Sequence, residues 1–348
     1  MPRPFSLDSL AACRGTFLAL APMDGITDAI TRELLTSENR DAVGVSAVSL
    51  CVSEFVRVTR EPVAEKVFLR EVPELNVGGV TPTGVPVFVQ LLGGDPRPMA
   101  ESARRAAALG ARGVDINFGC PAKTVNRHDG GATLLQYPER MTAITAAVRE
   151  ALPGHVPLSV KIRTGWDSPE HVEVLAQAAE RGGAAFLAVH GRTRMDMYKP
   201  AADMAAIARA RAAVAIPVVA NGDLLSPSTV VNCGYRTNCE AFMIGRGAMA
   251  EPNLFLQVRG LAIPYQSRQY AAFLRSFAER MIAARISDDR VNGRLKSWVR
   301  LAAVVAALHG PLFDALKRAQ TLSVAMGVLS DVEMGESQKM SITSIAIA

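Results

Sequence analysis

The chain has 348 residues, of which 49% are hydrophobic and 20% are charged, and its formal net charge is +5. This composition is typical of a globular protein with a large core. No run reaches the roughly 18 apolar residues of a membrane span, and residues 1–8 lack the apolar stretch of a signal peptide. We therefore expect a cytoplasmic protein that does not enter a membrane.

The cysteine pattern argues against a domain stabilised by disulfides and against one stabilised by zinc. They number five, with no Cys-x-x-Cys pair and no histidine partner, at Cys13, Cys51, Cys120, Cys233 and Cys239. An odd count without repeated spacing excludes a disulfide framework, and the missing partners exclude a structural zinc site. We expect no metal, and four ordinary thiols beside Cys120.

Eight short apolar runs follow one another along the first part of the chain, and each ends in small or polar residues. They lie at 17–21, 47–52, 87–92, 114–118, 158–162, 186–189, 218–220 and 241–244. Continuous apolar runs are typical of parallel strands that are buried on both faces. Eight strand–helix repeats favour a (β/α)₈ TIM barrel over about residues 14–258, within an α/β domain assigned to 1–258. The alternative is a doubly wound open sheet.

Helices are predicted between these runs at 97–109, 138–151, 170–181 and 203–213. Gly110 is a plausible stop for the first, and Ser168 before Pro169 matches an N-cap followed by proline in the first turn. Beyond the barrel, amphipathic patterns at 265–285, 287–309 and 312–328 predict a C-terminal helical bundle within 259–330. Residues 331–348 are interpreted as a tail that frays.

Charge is unevenly distributed between the two predicted domains. From Arg259 to Arg318 there are eleven basic and four acidic residues, a local charge of 11 − 4 = +7, which leaves 27 − 29 = −2 for the remainder. A basic module beside a nearly neutral body predicts that an anionic partner binds at one end of the molecule.

Residues just past the strand ends are the candidates for chemistry, because TIM barrels build their active sites there. The candidates are Pro22, Met23, Asp24, Glu54, Gln90, Asn117, Cys120, Lys161, Arg163, His190, Asn221, Asp223 and Arg246. Glycine turns at 221–223 and 245–247, after the last two strands, predict a phosphate site, although such turns are commonly only structural.

Three of the candidates have both a chemical and an ordinary interpretation. Lys161 and His190 suit contact with a flavin ring, which becomes anionic on reduction. The ordinary interpretation of Lys161 is a member of a surface ion pair, and that of His190 is a histidine satisfied by a hydrogen bond. Cys120 lies in a Gly-Cys-Pro turn, before a hinge-like stretch at 127–132. With an ordinary pKa near 8.5 it stays protonated at neutral pH and suits a general acid; the alternative is a buried, inert thiol.

Taken in order, several motifs resemble the tRNA-dihydrouridine synthase family over about residues 17–320. They are Ala21–Gly25, Gln90–Gly93, Asn117–Pro121 with Lys123, His190–Thr193, Asn221–Asp223 and Gly245–Gly247. Within that family the chain is most similar to the bacterial C-type branch, which modifies uridine 16 of the D-loop. The stretches that carry this finer likeness are 53–58, which contains Arg57, 123–126 and 165–167.

The resemblance implies FMN as cofactor and NADPH as its reductant. The flavin contacts would come from Pro22, Met23, Asp24, Gln90, Lys161 and His190, and those to its phosphate end from Asn221, Gly222, Asp223, Gly245 and Arg246. Hydride would pass from flavin N5 to C6 of the uracil, and Cys120 would protonate C5. Asn117 would contact the target base.

The helical module would then be the platform on which tRNA docks. On a helix at 100° per residue, Arg290, Arg294 and Arg300 span about a third of the circumference, and Lys296 lies just beyond. As a group they suit phosphate contacts; individually, each is equally compatible with a solvated face.

Two other functions are compatible with parts of the sequence. A flavin barrel that acts on a small molecule, such as a dihydroorotate or ene reductase, explains the phosphate loops but not the basic module. A non-catalytic RNA-binding barrel that no longer uses flavin predicts a colourless purified protein and effects on RNA that survive Cys120→Ala. We expect a synthase that acts as a monomer.

Overall fold

The computed structural model describes residues 15–122, 129–199 and 201–335, together with Leu7 and Asn126. The chain divides into two compact units, residues 1–245 and residues 246–348. This division directly follows the last strand, whereas the sequence pattern predicts a boundary at residue 258.

The first unit contains a closed barrel of parallel strands. Its nine strands are β1 (Phe17–Leu20), β2 (Leu50–Val52), β3 (Val56–Arg57), β4 (Val87–Leu92), β5 (Val114–Asn117), β6 (Leu158–Arg163), β7 (Phe186–His190), β8 (Val218–Asn221) and β9 (Ala241–Ile244). β1 pairs with β2 and β9, and β2 pairs with β4, which closes a ring of eight strands; β3 adds a short pairing beside β4. The predicted barrel is confirmed, and the open sheet is excluded.

Seven helices accompany these strands in the described part of the first unit. They are α1 (Ala29–Glu38), α2 (Glu65–Glu71), α3 (Pro96–Ala108), α4 (Pro138–Ala151), α5 (Val172–Arg181), α6 (Met204–Ala212) and α7 (Pro227–Thr237), with 3-10 turns at Pro73–Val77 and Gly131–Gln136. Aspartates 28, 95 and 203 cap three of them by accepting hydrogen bonds from backbone N–H groups. Gly110 has φ of 92°, so it ends α3 as predicted.

Ser168 does not cap a helix, which makes that prediction wrong. α5 begins at Val172, and Ser168 instead accepts a hydrogen bond from Glu170 N at 3.3 Å. The preceding residues are held in another way: Gly165 O and Trp166 O accept hydrogen bonds from Arg194 N and Met195 N. The chain is therefore committed to a loop–loop contact before the helix can start.

The barrel interior changes from apolar to polar along the strands. Its apolar layer includes Phe88 and Phe186, whose ring centroids are 6.0 Å apart. Side chains two residues apart lie on the same face of a strand. The pleat therefore places Gln90 above Phe88, and His190 above Ala188, at the carboxyl end of the barrel. The core thus gives way to a layer of polar side chains at the barrel mouth.

The second unit is helical. Its helices in the described range are α8 (Arg246–Ala250), α9 (Leu254–Val258), α10 (Ser267–Ala283), α11 (Asp288–Val305), α12 (Gly310–Leu316) and α13 (Leu322–Met334), with a 3-10 turn at Ala307–His309. The carbonyl oxygen of Met249 accepts hydrogen bonds from Tyr270 Oη at 2.8 Å and Trp298 Nε1 at 2.9 Å. His309 Nε2 lies 2.8 Å from Ala250 O. Three ring side chains thus satisfy the otherwise free carbonyl end of α8.

The single helix predicted over 312–328 is wrong, since α12 ends at Leu316 and α13 begins at Leu322. Thr321 has extended backbone angles, and its side chain accepts a hydrogen bond from Val324 N, so it starts a new helix. α13 continues to Met334, past the predicted start of the tail, and residues 336–348 lie outside the described ranges. No helix in the described ranges has both the length and the apolarity needed to cross a membrane.

Candidate active site at the barrel mouth

The strand register brings most of the predicted residues of the first unit to one end of the barrel. Asn117 at the end of β5 pairs with Lys161 of β6. His190 at the end of β7 pairs with Arg163 on one side and with Asn221 on the other. These side chains therefore come from neighbouring strand ends, as expected for an active site of this fold.

A row of hydrogen bonds connects the interior of the barrel to the cysteine turn. Asp115 accepts from Ser159 Oγ at 2.5 Å and from Gln90 Nε2 at 2.7 Å. Gln90 Oε1 accepts from Asn117 Nδ2 at 2.8 Å. Asn117 Oδ1 accepts in turn from Gly119 N at 2.9 Å and Cys120 N at 2.8 Å. Four of these side chains and the cysteine turn thus form one connected network.

Two members of that network, Asp115 and Ser159, were missed by the sequence analysis. Both are buried, and burial raises the pKa of the Asp115 carboxyl to about 6, although its hydrogen bonds and Lys161 oppose the shift. The available signal was an acidic residue inside an otherwise apolar run. Buried carboxylates are costly unless they are hydrogen-bonded, so such a residue points to a specific partner.

The turn that carries Cys120 is held from both sides. Arg163, which is 3% exposed, donates from Nε to Gly119 O at 2.9 Å and from Nη1 to Thr193 O at 2.8 Å. Ala132 N donates to Cys120 O at 3.1 Å. That contact lies in the stretch predicted to be a hinge, of which residues 127 and 128 lie outside the described ranges.

The environment of Cys120 favours the neutral thiol. Partial burial raises the pKa of this thiol above its ordinary value, and the Asp24 carboxylate adds to the effect, while Arg163 and Lys161 oppose it. A thiol with a raised pKa stays protonated at neutral pH and is a proton donor rather than a nucleophile. Cys120 is partly exposed, which differs from the buried position of the alternative interpretation.

Lys161 supplies a cation beside Asn117 whose charge depends on its surroundings. Burial lowers the pKa of this ammonium to about 8, and the nearby Arg163 acts in the same direction, while Asp115 and Cys120 raise it. The side chain is half-buried on the inner face of β6 rather than on the outer surface. At neutral pH it is positively charged.

A second cluster, at the ends of β7 and β8, contains a residue whose role was not predicted. Arg192, which is 4% exposed, donates from Nη2 to Asp223 Oδ2 at 2.6 Å, and its Nη1 lies 3.4 Å from His190 Nε2. Ala202 N also donates to Asp223 Oδ2, at 2.9 Å. The Asp223 carboxylate is thus already engaged by a cation, so any contact to a phosphate would come from its backbone.

Only glycine fits at position 222. Its φ is 121°, and a Cβ there would lie 2.8 Å from Ala202 Cβ and 3.1 Å from His190 Cδ2. The neighbouring Asn221 donates from Nδ2 to Met243 O at 2.7 Å, which fixes the end of β8. The loop therefore presents backbone, without a side chain, next to the His190 ring.

The turn after β1 is organised by hydrogen bonds to its backbone. Met23 N donates to Thr27 Oγ1 at 2.7 Å, and Ile26 N donates to Glu54 Oε1 at 2.8 Å. Partial burial raises the pKa of the Asp24 carboxyl, and Glu71 adds to the shift. Pro22 precedes this turn, and a Cβ on Gly245 would lie 3.3 Å from Met23 Sδ. The first and last strand ends of the barrel therefore meet.

None of the hydrogen bonds described above involves the remaining predicted residues. Arg57 is exposed on β3, and Lys123 lies outside the described residues. In the second unit, Arg246 is the first residue of α8, and the four basic residues of α11 are Arg290, Arg294, Lys296 and Arg300. Arg290 and Arg300 are exposed, whereas the Arg294 guanidinium lies 5.6 Å from the centroid of the Phe277 ring.

Several known proteins resemble this chain in sequence, and another resembles it in fold. The tRNA-dihydrouridine(16) synthase of Shewanella oneidensis is 43% identical over 80% of this chain and 86% of its own length. The protein of the same name from Cupriavidus necator is 42% identical over 87% of this chain and 93% of its own length. Histamine dehydrogenase from Rhizobium sp. 4-9 shares the fold, with a TM-score of 0.51 at 12% identity over 70% of this chain and 45% of that one.

The family model described as "Dihydrouridine synthase (Dus)" matches residues 19–294, which is most of the chain and includes the whole cysteine network. The chain belongs to the dihydrouridine synthase family.

Proposed function

We propose that this protein reduces uridine 16 of tRNA to 5,6-dihydrouridine, using FMN as cofactor and NADPH as reductant. The observation that carries the proposal is the position of Cys120 at the barrel mouth, where Asn117 Oδ1 accepts a hydrogen bond from Cys120 N and burial raises the pKa of the thiol, in a chain of this family. The position on tRNA rests on relatives named tRNA-dihydrouridine(16) synthase.

The residues at the barrel mouth fit a flavin. The cation of Lys161 suits a ring that gains negative charge, and the bare backbone at Gly222 suits close approach of a phosphate-bearing group. Pro22, Met23, Asp24, Gln90 and His190 would line the ring, and Asn221, Gly222, Asp223, Gly245 and Arg246 would hold the phosphate end. When bound, reduced FMN supplies the hydride for C6 of the uracil.

The chain itself supplies the proton and the position of the base. The Cys120 thiol donates its proton to C5, on the carbon next to the one that is reduced. Asn117 holds the turn through Oδ1 and contacts the target base with its remaining hydrogen-bonding capacity. Lys161 keeps its positive charge at neutral pH, which favours the reduced state of the cofactor.

The RNA must deliver a single base to this site. A base in a duplex would have to leave its stack at a cost of a few kcal/mol, and that cost is lowest in a loop. We assign docking to the basic residues of the second unit, Arg290, Arg294, Lys296 and Arg300, with Arg57 and Lys123 as contacts from the first unit. We expect the protein to act as a monomer, which light scattering of the purified protein measures.

The test is position-resolved mass spectrometry of dihydrouridine in tRNA from cells that lack this modification, after incubation with the protein and NADPH. Dihydrouridine at position 16 with the wild type, but not with Cys120→Ala, supports the reaction, the tRNA substrate, the position and the acid role of Cys120. Its formation at another position refutes the assignment to uridine 16 alone. If a yellow, NADPH-reducible protein forms none, the substrate is a small molecule; if the protein is colourless and only binds tRNA, it is an RNA-binding barrel.

A further inference from the structure

The hydrogen bonds inside the barrel run in one direction. Beginning at Asp115, each side-chain amide donates toward the carboxylate and accepts from the side of the cysteine turn. Gln90 is fully buried and Asp115 is 1% exposed, so water does not compete for these groups. The order of donors and acceptors is therefore a property of the network as a whole.

The chemistry of a carboxylate explains this order. An ionised carboxylate only accepts hydrogen bonds, so the amide nitrogen of Gln90 must face Asp115. Gln90 Oε1 then faces Asn117, which turns Asn117 Nδ2 toward it. Only Asn117 Oδ1 remains for the backbone N–H groups of Gly119 and Cys120. A reversed amide at either step would place two donors, or two acceptors, against each other, and at the Gln90–Asp115 contact both groups are buried away from water.

We propose that Asp115 is a positioning residue that acts on Cys120 through Gln90 and Asn117. Its carboxylate sets the orientation of both amides and thereby keeps Asn117 Oδ1 directed at the Gly119 and Cys120 amides. Ser159 completes the anchor by donating to the other carboxylate oxygen. The inference rests on the proposed function in one respect: a fixed turn matters for the reaction because Cys120 delivers the proton.

The proposal predicts an unusual suppression. In Gln90→Glu, two acceptor groups face each other where Gln90 Nε2 now donates to Asp115 across 2.7 Å. Adding Asp115→Asn restores a donor at that contact, since the new amide at position 115 donates to the new carboxylate at position 90 and still accepts from Ser159. That carboxylate then accepts from Asn117, as Gln90 did. The negative charge has then moved from position 115 to position 90, and the order of donors and acceptors is unchanged.

The measurement is hydrogen–deuterium exchange of the Gly119 and Cys120 amides in the full-length purified protein, resolved by fragmentation mass spectrometry. We expect Gln90→Glu to speed exchange at both amides by about tenfold, which corresponds to the loss of one hydrogen bond. Gln90→Glu/Asp115→Asn should return within about twofold of the wild type by the same argument. Amides of α4 serve as the internal reference and should not change in any variant.

A matched control separates the effect of hydrogen-bond direction from the effect of removing a negative charge. Asp24→Asn also removes an acidic group that acts on Cys120, but Asp24 is not part of the hydrogen-bonded row. Gln90→Glu/Asp24→Asn should therefore remain as fast-exchanging as Gln90→Glu alone. Equal rescue by Asp24→Asn, or no rescue by Asp115→Asn, would overturn the proposal.

Neutron diffraction from deuterium-exchanged wild-type crystals tests the same claim without any variant that could misfold. The amide deuterons of Gln90 should face Asp115, and those of Asn117 should face Gln90; the opposite orientation of Asn117 would end the proposal. Neither measurement depends on turnover. If Cys120→Ala kept full activity while the suppression held, the proposed acid role would fail and the positioning network would stand.

Discussion

The two compact units use polar residues in opposite ways. At the barrel mouth of the first unit, Gln90 and Arg192 are buried, and each is held by partners at 2.6–2.8 Å. On α11 of the second unit, Arg290 and Arg300 are exposed. Chemistry on a single base requires fixed distances between a few groups, whereas docking of a polyanion requires many charges of one sign. Variants in the first unit should therefore have large, local effects, and variants in the second should have small, additive ones.

The largest effect is expected from Cys120→Ala. Removing a general acid should slow dihydrouridine formation by about 10²–10⁴-fold, because the substrate then loses its positioned proton donor. Single-turnover mass spectrometry of tRNA measures the rate, and flavin absorbance with a tRNA-binding assay checks that both ligands still bind. The control is Cys239→Ala, which removes a buried thiol from the barrel away from the strand mouths and should leave the rate unchanged. A Cys120→Ala rate near that of the wild type would contradict the acid role.

The next effect concerns stability at the second cluster of the same unit. Arg192→Ala leaves the Asp223 carboxylate without its cation and should lower the free energy of unfolding by about 3 kcal/mol. Arg70→Ala breaks an exposed ion pair with Glu71 and should cost less than about 1 kcal/mol. Urea unfolding of the two variants measures the difference. Similar losses would mean that the buried pair contributes no more than a surface pair.

A pH dependence is expected from Lys161. Because its pKa is lowered to about 8, its positive charge is lost as the pH rises through 8, and turnover should fall there about tenfold per pH unit. Cys120 keeps its proton over this range, since the pKa of that thiol is raised. Arginine stays charged at these pH values, so Lys161→Arg should move the descending limb of the pH–rate profile upward. If the descending limb of the Lys161→Arg profile stays at the same pH, the titration of another group causes it.

The smallest effect is expected in the second unit. Arg290→Ala/Arg294→Ala should raise the KM for tRNA by about three- to tenfold. It should also make the negative slope of the logarithm of the tRNA association constant against log salt concentration shallower by about 1–2, since each phosphate contact that is lost removes the release of about one counterion. NADPH-driven flavin reduction should not change. Arg104→Ala/Arg181→Ala removes two basic residues from barrel helices instead and should leave the salt slope unaltered. If both double variants behave alike, tRNA responds only to net charge.

Much of the fold was predictable because it depends on patterns within single segments. Each apolar run from 17–21 to 241–244 contains or overlaps a strand of the ring, and helix 138–151 has the predicted bounds. Predictions that required knowledge of distant partners were less successful. Ser168 looks like an N-cap in the sequence, but Arg194 and Met195 from another loop fix the chain just before it.

The pattern of apolar runs was enough to predict that polar groups lie at the strand ends, and the motifs singled out Cys120, Asn117, Lys161 and His190. How these groups are held depends on the folded barrel. Asp115, Ser159 and Arg192 have their partners 25 to 44 residues away, on other strands and loops of the barrel. A pattern along the chain reports which side chain is polar; the direction of a hydrogen bond exists only once the barrel closes and removes water from between the strands.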